Sequence, residues 1–327
     1  MKVIFFGSSA FSVPFLDAVF KSSHELTGVV TGTVKIRGRG NLPAPDPVSE
    51  YSLSKGLNIY EMDKFDDSFY KWLKKINFDY AVSISFGKII PVKFLEIAGE
   101  RTINIHPSML PKYRGPSPVI STLLNGDSRT GISLIKIAPE VDSGEIYMQT
   151  SYPVSTEDYK ETLENKIINI GTRMLLALLD ILDSGYAATF PQDCSGISYT
   201  RLFVKNDMRI DWNKDASDIL NKIRGFGFSP GSFTTYNGKI IKILHASKVR
   251  VIKNSAQKYS AGQVISANRE GLTIKCSGNS PKNIRTEEDN PAFECISVKK
   301  LKPQDRGIMD YTEFINGYRI TSGNFFV

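Results

Sequence analysis

Residues 2–31 read KVIFFGSSAFSVPFLDAVFKSSHELTGVVT and alternate between strand-like and helix-like patterns. The apolar run Lys2–Phe6 has the length of a buried strand, and Leu26–Thr31 repeats that character. Between them, Phe11–Lys21 carries apolar residues at three- and four-residue spacing, which is typical of a helix. A strand, a helix and a second strand in this order predict a βαβ unit with parallel strands.

The alternation continues to about residue 185. Asp46-Pro47 predicts the start of a helix, because aspartate caps helix N-termini and proline suits the first helical position. Further strands are predicted at 57–60, 80–85, 102–106, 131–137 and 145–154, and helices at 66–76, 116–126 and 157–184. The pattern predicts an α/β, Rossmann-like domain with a mostly parallel sheet, whose ligand crevice lies at the carboxyl ends of the strands.

The pattern changes after Gly185. We predict a linker over residues 186–204, where the chain loosens into a stretch without a clear period. From 205 to 327, short alternating runs are separated by turn signals such as Asn237-Gly238. This spacing predicts a small, OB-like β-barrel. The predicted domains are therefore 1–185 and 205–327.

The composition narrows the class of protein. The chain has 327 residues, 41% hydrophobic and 23% charged, which excludes a collagen, a coiled coil and a wholly disordered protein. No apolar run approaches the ~18 residues of a membrane span, so no membrane association is expected. The three cysteines are widely spaced and the three histidines have no metal-motif neighbour. We therefore expect no metal site and no disulfide framework, a cytoplasmic location and, without heptads, a monomer.

Positive charge is concentrated in the second predicted domain. Residues 1–204 hold 21 lysines and arginines against 22 acidic residues, whereas residues 205–327 hold 20 against 12. Between Ile219 and Arg269 there are nine basic residues and no acidic one. This asymmetry indicates an acidic partner for the second domain, although a basic face that maintains solubility has the same signature.

Candidate catalytic side chains lie at the end of one predicted strand. Asn104 and His106 are two residues apart, so a strand directs both side chains to the same face. An amide and an imidazole there can stabilise an oxyanion and transfer a proton, but both residue types also cap backbone groups. Asp142, in the turn Glu140–Gly144, can approach His106 if their strands are neighbours. A lone aspartate before Ser-Gly is otherwise a turn residue.

These residues belong to a longer run that resembles a known family, the 10-formyltetrahydrofolate-dependent formyltransferases. The segments that carry the resemblance are Asn104–Ser108, Leu110-Pro111, Arg114-Gly115, Val141–Gly144, Ile4–Gly7, Ser85–Pro91 and Arg209–Trp212. They extend over nearly the whole chain. Among the family, the chain is most similar to the members that formylate methionyl-tRNA, which join a formyltransferase domain to a C-terminal barrel that contacts tRNA.

The resemblance implies a reaction and its catalytic residues. A formyl group would pass from 10-formyltetrahydrofolate, as co-substrate, to the α-amino group of initiator methionyl-tRNA, without a metal. Asn104 and a protonated His106 would donate hydrogen bonds to the developing oxyanion. Asp142 would hold His106 in its charged form and take the proton of the attacking amine.

The resemblance also implies a folate-binding set: Ser108, Met109, Leu110, Pro111, Phe86 and Gly87. Met109 stands where family members usually have leucine, an apolar exchange that keeps the loop assignment. Pro116-Ser117 replaces the expected pair of alanines, which affects the shape of the following helix start but not the chemistry.

Two basic groups are candidates for tRNA contact. In Lys35–Asn41, Arg37 and Arg39 alternate with glycines in a loop that suits phosphate binding but equally suits a solvated turn. The second domain supplies Lys239, Lys242 and Lys248.

Other functions share parts of these patterns. A formyltransferase for an amino-sugar nucleotide would use the same catalytic residues, but two phosphates require a local pocket and not a basic domain. Hydrolysis of 10-formyltetrahydrofolate would replace the amine by water, and a non-enzymatic RNA-binding protein would not need the catalytic residues. A nicotinamide cofactor is not expected, because Gly7–Phe11 lacks the later glycines of the dinucleotide fingerprint. The charge of the second domain favours tRNA.

Overall fold

The computed structural model describes residues 1–33, 35–37, 42–44, 46–186, 188–252, 259–277 and 292–327. The chain divides into two compact units. The first unit comprises Met1–Pro118, Arg129–Pro153 and Glu164–Arg201. The second comprises Val119–Ser128, Val154–Leu163 and Leu202–Val327. Within the described ranges, no helix is both long enough and apolar enough to cross a membrane.

A seven-stranded sheet forms the centre of the first unit. Its strands are β1 (Lys2–Phe6), β2 (Glu25–Gly32), β5 (Ile59–Met62), β6 (Tyr80–Ser83), β7 (Thr102–His106), β8 (Arg129–Ile135) and β9 (Ile146–Pro153), in the order β5-β2-β1-β6-β7-β8-β9. The pairs from β5 to β7 are parallel, whereas β8 and β9 continue the sheet antiparallel. The predicted α/β, Rossmann-like and mostly parallel sheet is confirmed. A separate pair, β3 (Lys35–Arg37) and β4 (Leu42–Ala44), follows β2.

Helices connect the parallel strands, as buried parallel sheets require. They are α1 (Val13–Phe20), α2 (Pro47–Ser54), α3 (Asp67–Leu73) and α4 (Val92–Ala98). Two further helices, α5 (Pro118–Leu124) and α6 (Lys160–Asp183), follow β7 and β9, and most of α5 belongs to the second unit. The predicted cap of α2 is confirmed, since the Asp46 side chain accepts a hydrogen bond from the Val48 amide. Helix α4 was not predicted. The equally short α3 begins after a capping aspartate, Asp66, whereas α4 follows Pro91 and has no side-chain cap.

Aromatic side chains fill much of the core on one side of this sheet. The rings of Phe6 and Phe94 lie 5.1 Å apart in an edge-to-face arrangement, and Phe86 meets Phe6 in the same way at 5.4 Å. Such pairs add directional contacts to the burial of apolar area. They fix the segment that follows β6, at the carboxyl end of the sheet.

The second unit is built on an antiparallel sheet. Its strands are β10 (Ser232–Tyr236), β11 (Lys239–Ile252), β12 (Val264–Asn268), β13 (Gly271–Lys275), β14 (Ala292–Pro303) and β15 (Met309–Asp310); α7 (Ala216–Phe226) and α8 (Tyr311–Tyr318) are its main helices. The strand order is β10-β11-β14-β13-β12, with β15 beside β14. Asn237 and Gly238 both have positive φ and form the predicted two-residue hairpin between β10 and β11.

Residues 323–327 join the two edges of this sheet. Val327 exchanges two backbone hydrogen bonds with Thr235 of β10, with N···O distances of 2.8 and 2.9 Å. The Gly323 amide donates to the Val264 carbonyl of β12, and the Phe326 amide to the Gly262 carbonyl, both at 2.8 Å. A segment bonded to both edge strands closes the sheet, as the barrel prediction requires.

At Gly171, helix α6 packs closely against β8 and α1 of the first unit. A Cβ atom at this position would lie 2.5 Å from Ile132 Cδ1 and 2.8 Å from Phe15 Cε1, and both neighbours are fully buried. We expect Gly171→Leu to destabilise the protein by about 1–3 kcal/mol through overpacking, despite the better helix propensity of leucine. Chemical denaturation measures the change. Asn169→Leu, at an exposed position of the same helix, is the control and should cost less than about 0.5 kcal/mol.

Candidate active site

The carboxyl end of β7 presents Asn104 and His106 on one face of the strand. In the ladder with β8, Asn104 lies opposite Ile135 and His106 opposite Ser133. His106 is buried and Asn104 is half-buried. The β-strand geometry predicted from their spacing therefore places both side chains at the edge where parallel strands end and the antiparallel extension begins.

The Asp142 carboxylate lies beside both side chains. Asn104 Nδ2 donates to Asp142 Oδ1 at 3.0 Å, and the Gly115 amide donates to Oδ2 at 2.7 Å. His106 Nδ1 is 3.4 Å from Oδ2. Only 12% of the Asp142 side chain is exposed, so these donors replace the water that a carboxylate loses on burial. The Asp142 carboxylate is therefore in contact with a side-chain amide, an imidazole and a backbone N–H.

His106 is held at both ring nitrogens. Nε2 donates to the Tyr113 carbonyl at 2.9 Å, while Nδ1 faces the Asp142 carboxylate. A carbonyl and a carboxylate are both acceptors, so each ring nitrogen of His106 faces a hydrogen-bond acceptor. Two groups can still donate a hydrogen bond to a ligand oxygen. They are the second amide hydrogen of Asn104 and His106 Nδ1, whose contact with Asp142 is long.

The segment Ser108–Pro111 is tied to the sheet through its backbone. Ser133 Oγ donates to the Ser108 carbonyl at 2.7 Å and accepts from the Leu110 amide at 3.3 Å. Gln149 Nε2 donates to the Leu110 carbonyl at 2.9 Å and to Ser133 Oγ at 2.8 Å. Two side chains on β8 and β9 therefore fix the path of this loop.

The side chains of the predicted folate-binding residues differ in their surroundings. Leu110 packs with Ile135 and Ile146, and the Ser108 hydroxyl donates to the Lys112 carbonyl of its own loop. Met109 lies over Gly131, where an added Cβ would be 2.3 Å from its sulfur. The Phe86 ring belongs to the aromatic core, whereas Gly87, at φ 72°, borders open space. At Ser108, Leu110 and Phe86 the side chain therefore supports the fold, and a ligand there would meet the backbone.

Several residues at the site were not predicted. Arg114 is buried, and its Nε and Nη2 donate to Gln192 Oε1 at 3.2 and 2.9 Å. Its backbone amide donates to the Ser198 carbonyl and its carbonyl accepts from the Thr200 amide. Tyr113 and Gly115 contribute only backbone groups, which no side-chain pattern reports, and Gln192 lies in the stretch predicted as a linker. The segment Arg114-Gly115 was quoted in the family resemblance, the one signal that could have drawn attention to it.

The lysines proposed for the second unit differ in their electrostatic environment. Lys239 is exposed, whereas Lys248 Nζ lies 3.1 Å from Glu294 Oε1 and also donates to Ser217 Oγ. Lys242 donates to the Pro230 carbonyl and lies directly opposite Lys302 in the β11–β14 ladder. In the first unit, Arg37 ends β3, and its side chain and the whole of Arg39 lie outside the described residues.

The ladder between β11 and β14 brings like charges together. Burial lowers the pKa of Lys242, and Lys302 and Lys205 lower it further. His245 lies opposite Lys300, and burial followed by the Lys300 charge lowers the pKa of its imidazole. Like charges directly opposite each other destabilise a sheet. A bound polyanion would remove that cost.

Both parts of the chain match family models of formyl transferases. Residues 1–179 match the family model described as formyl transferase, and residues 203–319 match the one described as formyl transferase, C-terminal domain. The chain is 32% identical to the methionyl-tRNA formyltransferase of Dictyoglomus thermophilum over 100% of both chains. It is 30% identical to that of Fusobacterium nucleatum over 97% of both.

Solved structures show the same fold at lower identity. A sugar 3N-formyl transferase, WlaRD, superposes with a TM-score of 0.63 at 19% identity, covering 94% of this chain and 99% of that one. HypX from Aquifex aeolicus gives a TM-score of 0.64 at 15% identity over 97% of this chain and 49% of that one.

Ser133 offers a test of how the Ser108–Pro111 loop is held. Ser133→Ala would leave the Ser108 carbonyl and the Leu110 amide without their side-chain partner, so we expect a loss of about 1–3 kcal/mol in unfolding free energy. Amide hydrogen exchange should show faster exchange at Leu110. Ser151→Ala, on the exposed face of β9, should change stability by less than about 0.5 kcal/mol. Unchanged exchange at Leu110 would show that the loop does not depend on Ser133.

Proposed function

This chain belongs to the formyl transferase family, and we propose that Asn104, His106 and Asp142 catalyse its transfer of a formyl group from 10-formyltetrahydrofolate to the α-amino group of methionyl-tRNA. The convergence of Asn104, His106 and the Gly115 amide on the Asp142 carboxylate carries this proposal. Such a group combines an acceptor for a proton with donors for an oxyanion, which are the two requirements of acyl transfer to an amine.

The proposed chemistry assigns one role to each side chain. The amine nitrogen forms the new bond to the formyl carbon, and negative charge develops on the formyl oxygen. The second amide hydrogen of Asn104 and the Nδ1 proton of His106 stabilise that oxygen. The bond from the formyl carbon to N10 then breaks, and N10 gains a proton in exchange for the one that the amine loses.

Asp142 accepts the amine proton, directly or through a water. A strong base is unnecessary, because an α-amino group has a pKa near ~7.7–8.0 and is partly neutral at physiological pH. The Tyr113 carbonyl keeps the His106 ring in place during the reaction, and the ionised Asp142 offsets the charge of the imidazolium. Ser108, Met109, Leu110 and Pro111, with Phe86 and Gly87, are proposed to bind the folate, mainly through backbone groups.

Variants of the three side chains test the site. We expect Asn104→Ala, His106→Ala and Asp142→Asn each to lower kcat by about two orders of magnitude or more, with little change in tRNA affinity. Asparagine is chosen at position 142 because the residue has φ 50°, a conformation that asparagine tolerates. Steady-state kinetics and a tRNA-binding assay provide the measurements. Asn58→Ala, an exposed amide at the opposite edge of the sheet, should retain activity. Full activity of His106→Ala would refute the mechanism.

The second unit is proposed to bind the tRNA backbone. Support comes from the opposed Lys242 and Lys302, from nearby Lys205, and from His245 opposite Lys300. The same reasoning disfavours a sugar nucleotide as acceptor, since its two phosphates would not neutralise so extended a basic surface. We also propose that Arg37 and Arg39 contact the tRNA, together with Lys239, Lys242 and Lys248.

Reversing the charge of two lysines on the second unit should weaken tRNA binding. Lys239→Glu combined with Lys302→Glu should weaken initiator and elongator tRNA alike, because phosphate contacts do not read sequence. Binding should fall with salt at a log–log slope of about −0.7 to −0.9 per contact, and the double variant should flatten that slope. Lys248→Gln should have a smaller effect, since Glu294 already compensates Lys248. Salt-independent tRNA binding would instead assign the charge to solubility.

Three further assignments are part of the proposal. The protein acts as a monomer in the cytoplasm, where its three unpaired cysteines are compatible with reducing conditions. Residues 1–185 form the catalytic domain and 205–327 the tRNA-binding domain, with a linker over 186–204. Size-exclusion chromatography with light scattering tests the first assignment, and limited proteolysis tests the boundaries.

A further inference from the structure

Gln192 is bonded to the backbone of the Asp142 loop. Its Nε2 donates to the Asp142 carbonyl at 2.7 Å and to the Gly144 carbonyl at 2.8 Å. Asp142 has φ 50°, a left-handed conformation that costs a non-glycine residue free energy unless its surroundings hold it. At Gly144 the chain passes so close to the Lys136 carbonyl that an added Cβ would lie 1.9 Å from it. The two Gln192 hydrogen bonds span this strained turn.

The orientation of the Gln192 amide is fixed by its partners. Arg114 is a donor only and holds Oε1 through Nε and Nη2, while the Asp142 and Gly144 carbonyls are acceptors only. A flipped amide would place donor against donor and acceptor against acceptor. The side chain therefore has one favourable orientation, in which its NH2 group faces the loop.

Arg114 connects this amide to the Asp142 carboxylate. The residue after Arg114 is Gly115, whose N–H donates to Asp142 Oδ2 at 2.7 Å. Arg114 Nη1 also lies 3.7 Å from Glu140 in the same loop, and Tyr199 donates to Glu140 at 2.9 Å. Gln192 therefore contacts the backbone of Asp142, and Arg114 precedes the glycine whose N–H donates to the Asp142 carboxylate.

We propose that Gln192 is a positioning residue for catalysis, which holds the Asp142 carboxylate in the orientation that accepts the amine proton. The inference rests on the proposed role of Asp142. A displacement of a catalytic group by about 1 Å can cost about 100-fold in rate without weakening substrate binding. Loss of Gln192 should therefore lower kcat and leave KM unchanged.

Two near-isosteric substitutions separate the contacts of Gln192. Gln192→Glu keeps an acceptor for Arg114 but presents oxygen to both loop carbonyls, while Gln192→Met removes the contacts on both sides. We expect each variant of the full chain to lose about 10- to 100-fold in kcat, with KM for methionyl-tRNA and for 10-formyltetrahydrofolate within about twofold of the parent. Asn58→Asp, an amide-to-acid exchange at the far edge of the sheet, should keep the parent kcat.

A double-mutant cycle tests whether Gln192 acts through Asp142. In an Asp142→Asn background, Gln192→Glu should lower the single-turnover rate by less than about twofold, because the carboxylate that it positions is already absent. A full additional loss in that background would overturn the proposal, as would parental kcat in both Gln192 variants. Thermal unfolding within a few degrees of the parent identifies the variants that fold. If Gln192→Glu does not fold, Gln192→Met carries the same cycle.

The outcomes distinguish this inference from the proposed site. If Asp142→Asn itself is fully active, the proposed role of Asp142 fails. If Asp142→Asn is impaired while the folded Gln192 variants keep the parental kcat, the site stands and only the positioning role of Gln192 is wrong.

Discussion

The need to compensate one largely buried carboxylate organises the candidate active site. A carboxylate that leaves water without donors is strongly destabilising, so the Asp142 side chain requires the N–H groups that surround it. Asn104 and His106 come from β7, and Gly115 comes from the loop that follows it. The same three donors surround the carboxylate that we propose as the proton acceptor. One set of hydrogen bonds would therefore serve both the stability of the folded site and the proposed proton transfer.

The features that the sequence could predict are those that local patterns of a few residues determine. Spacing alone placed Asn104 and His106 on one face of a strand, and Asp46-Pro47 located the start of α2. Helix α4 was missed because no capping side chain marks its start, whereas Asp66 marks that of the equally short α3. Gln192 was not predicted for another reason. Its partners lie 78 residues away at Arg114 and 50 residues away at Asp142, and two of its hydrogen bonds are to backbone carbonyls. No single-chain pattern encodes such a pairing.

Strand register accounts for what the sequence could not predict about the basic surface. Lysine content indicated a polyanion partner, but only the β11–β14 pairing shows that Lys242 faces Lys302 and that Lys248 is compensated by Glu294. Lys242 and Lys248 have the same formal charge, but among the described residues only the charge of Lys248 is compensated by a neighbouring carboxylate. Lys242 and Lys302 face each other at a cost to the sheet, and the proposed contact with an anion would reduce that cost.

The return of residues 192–200 to the loop around Arg114 has a consequence for folding kinetics. The Tyr113 amide bonds to Ser198 across 85 residues, and the Arg114 carbonyl to Thr200 across 86. Contacts of such long sequence separation form late and slow folding, because loop closure must precede the interactions that reward it. The sheet of the first unit depends on a similar closure, because its β1–β6 pairing brings Lys2 to Asp79 across 77 residues. Refolding should therefore be limited by two chain closures, one within the sheet and one that brings residues 192–200 to Arg114.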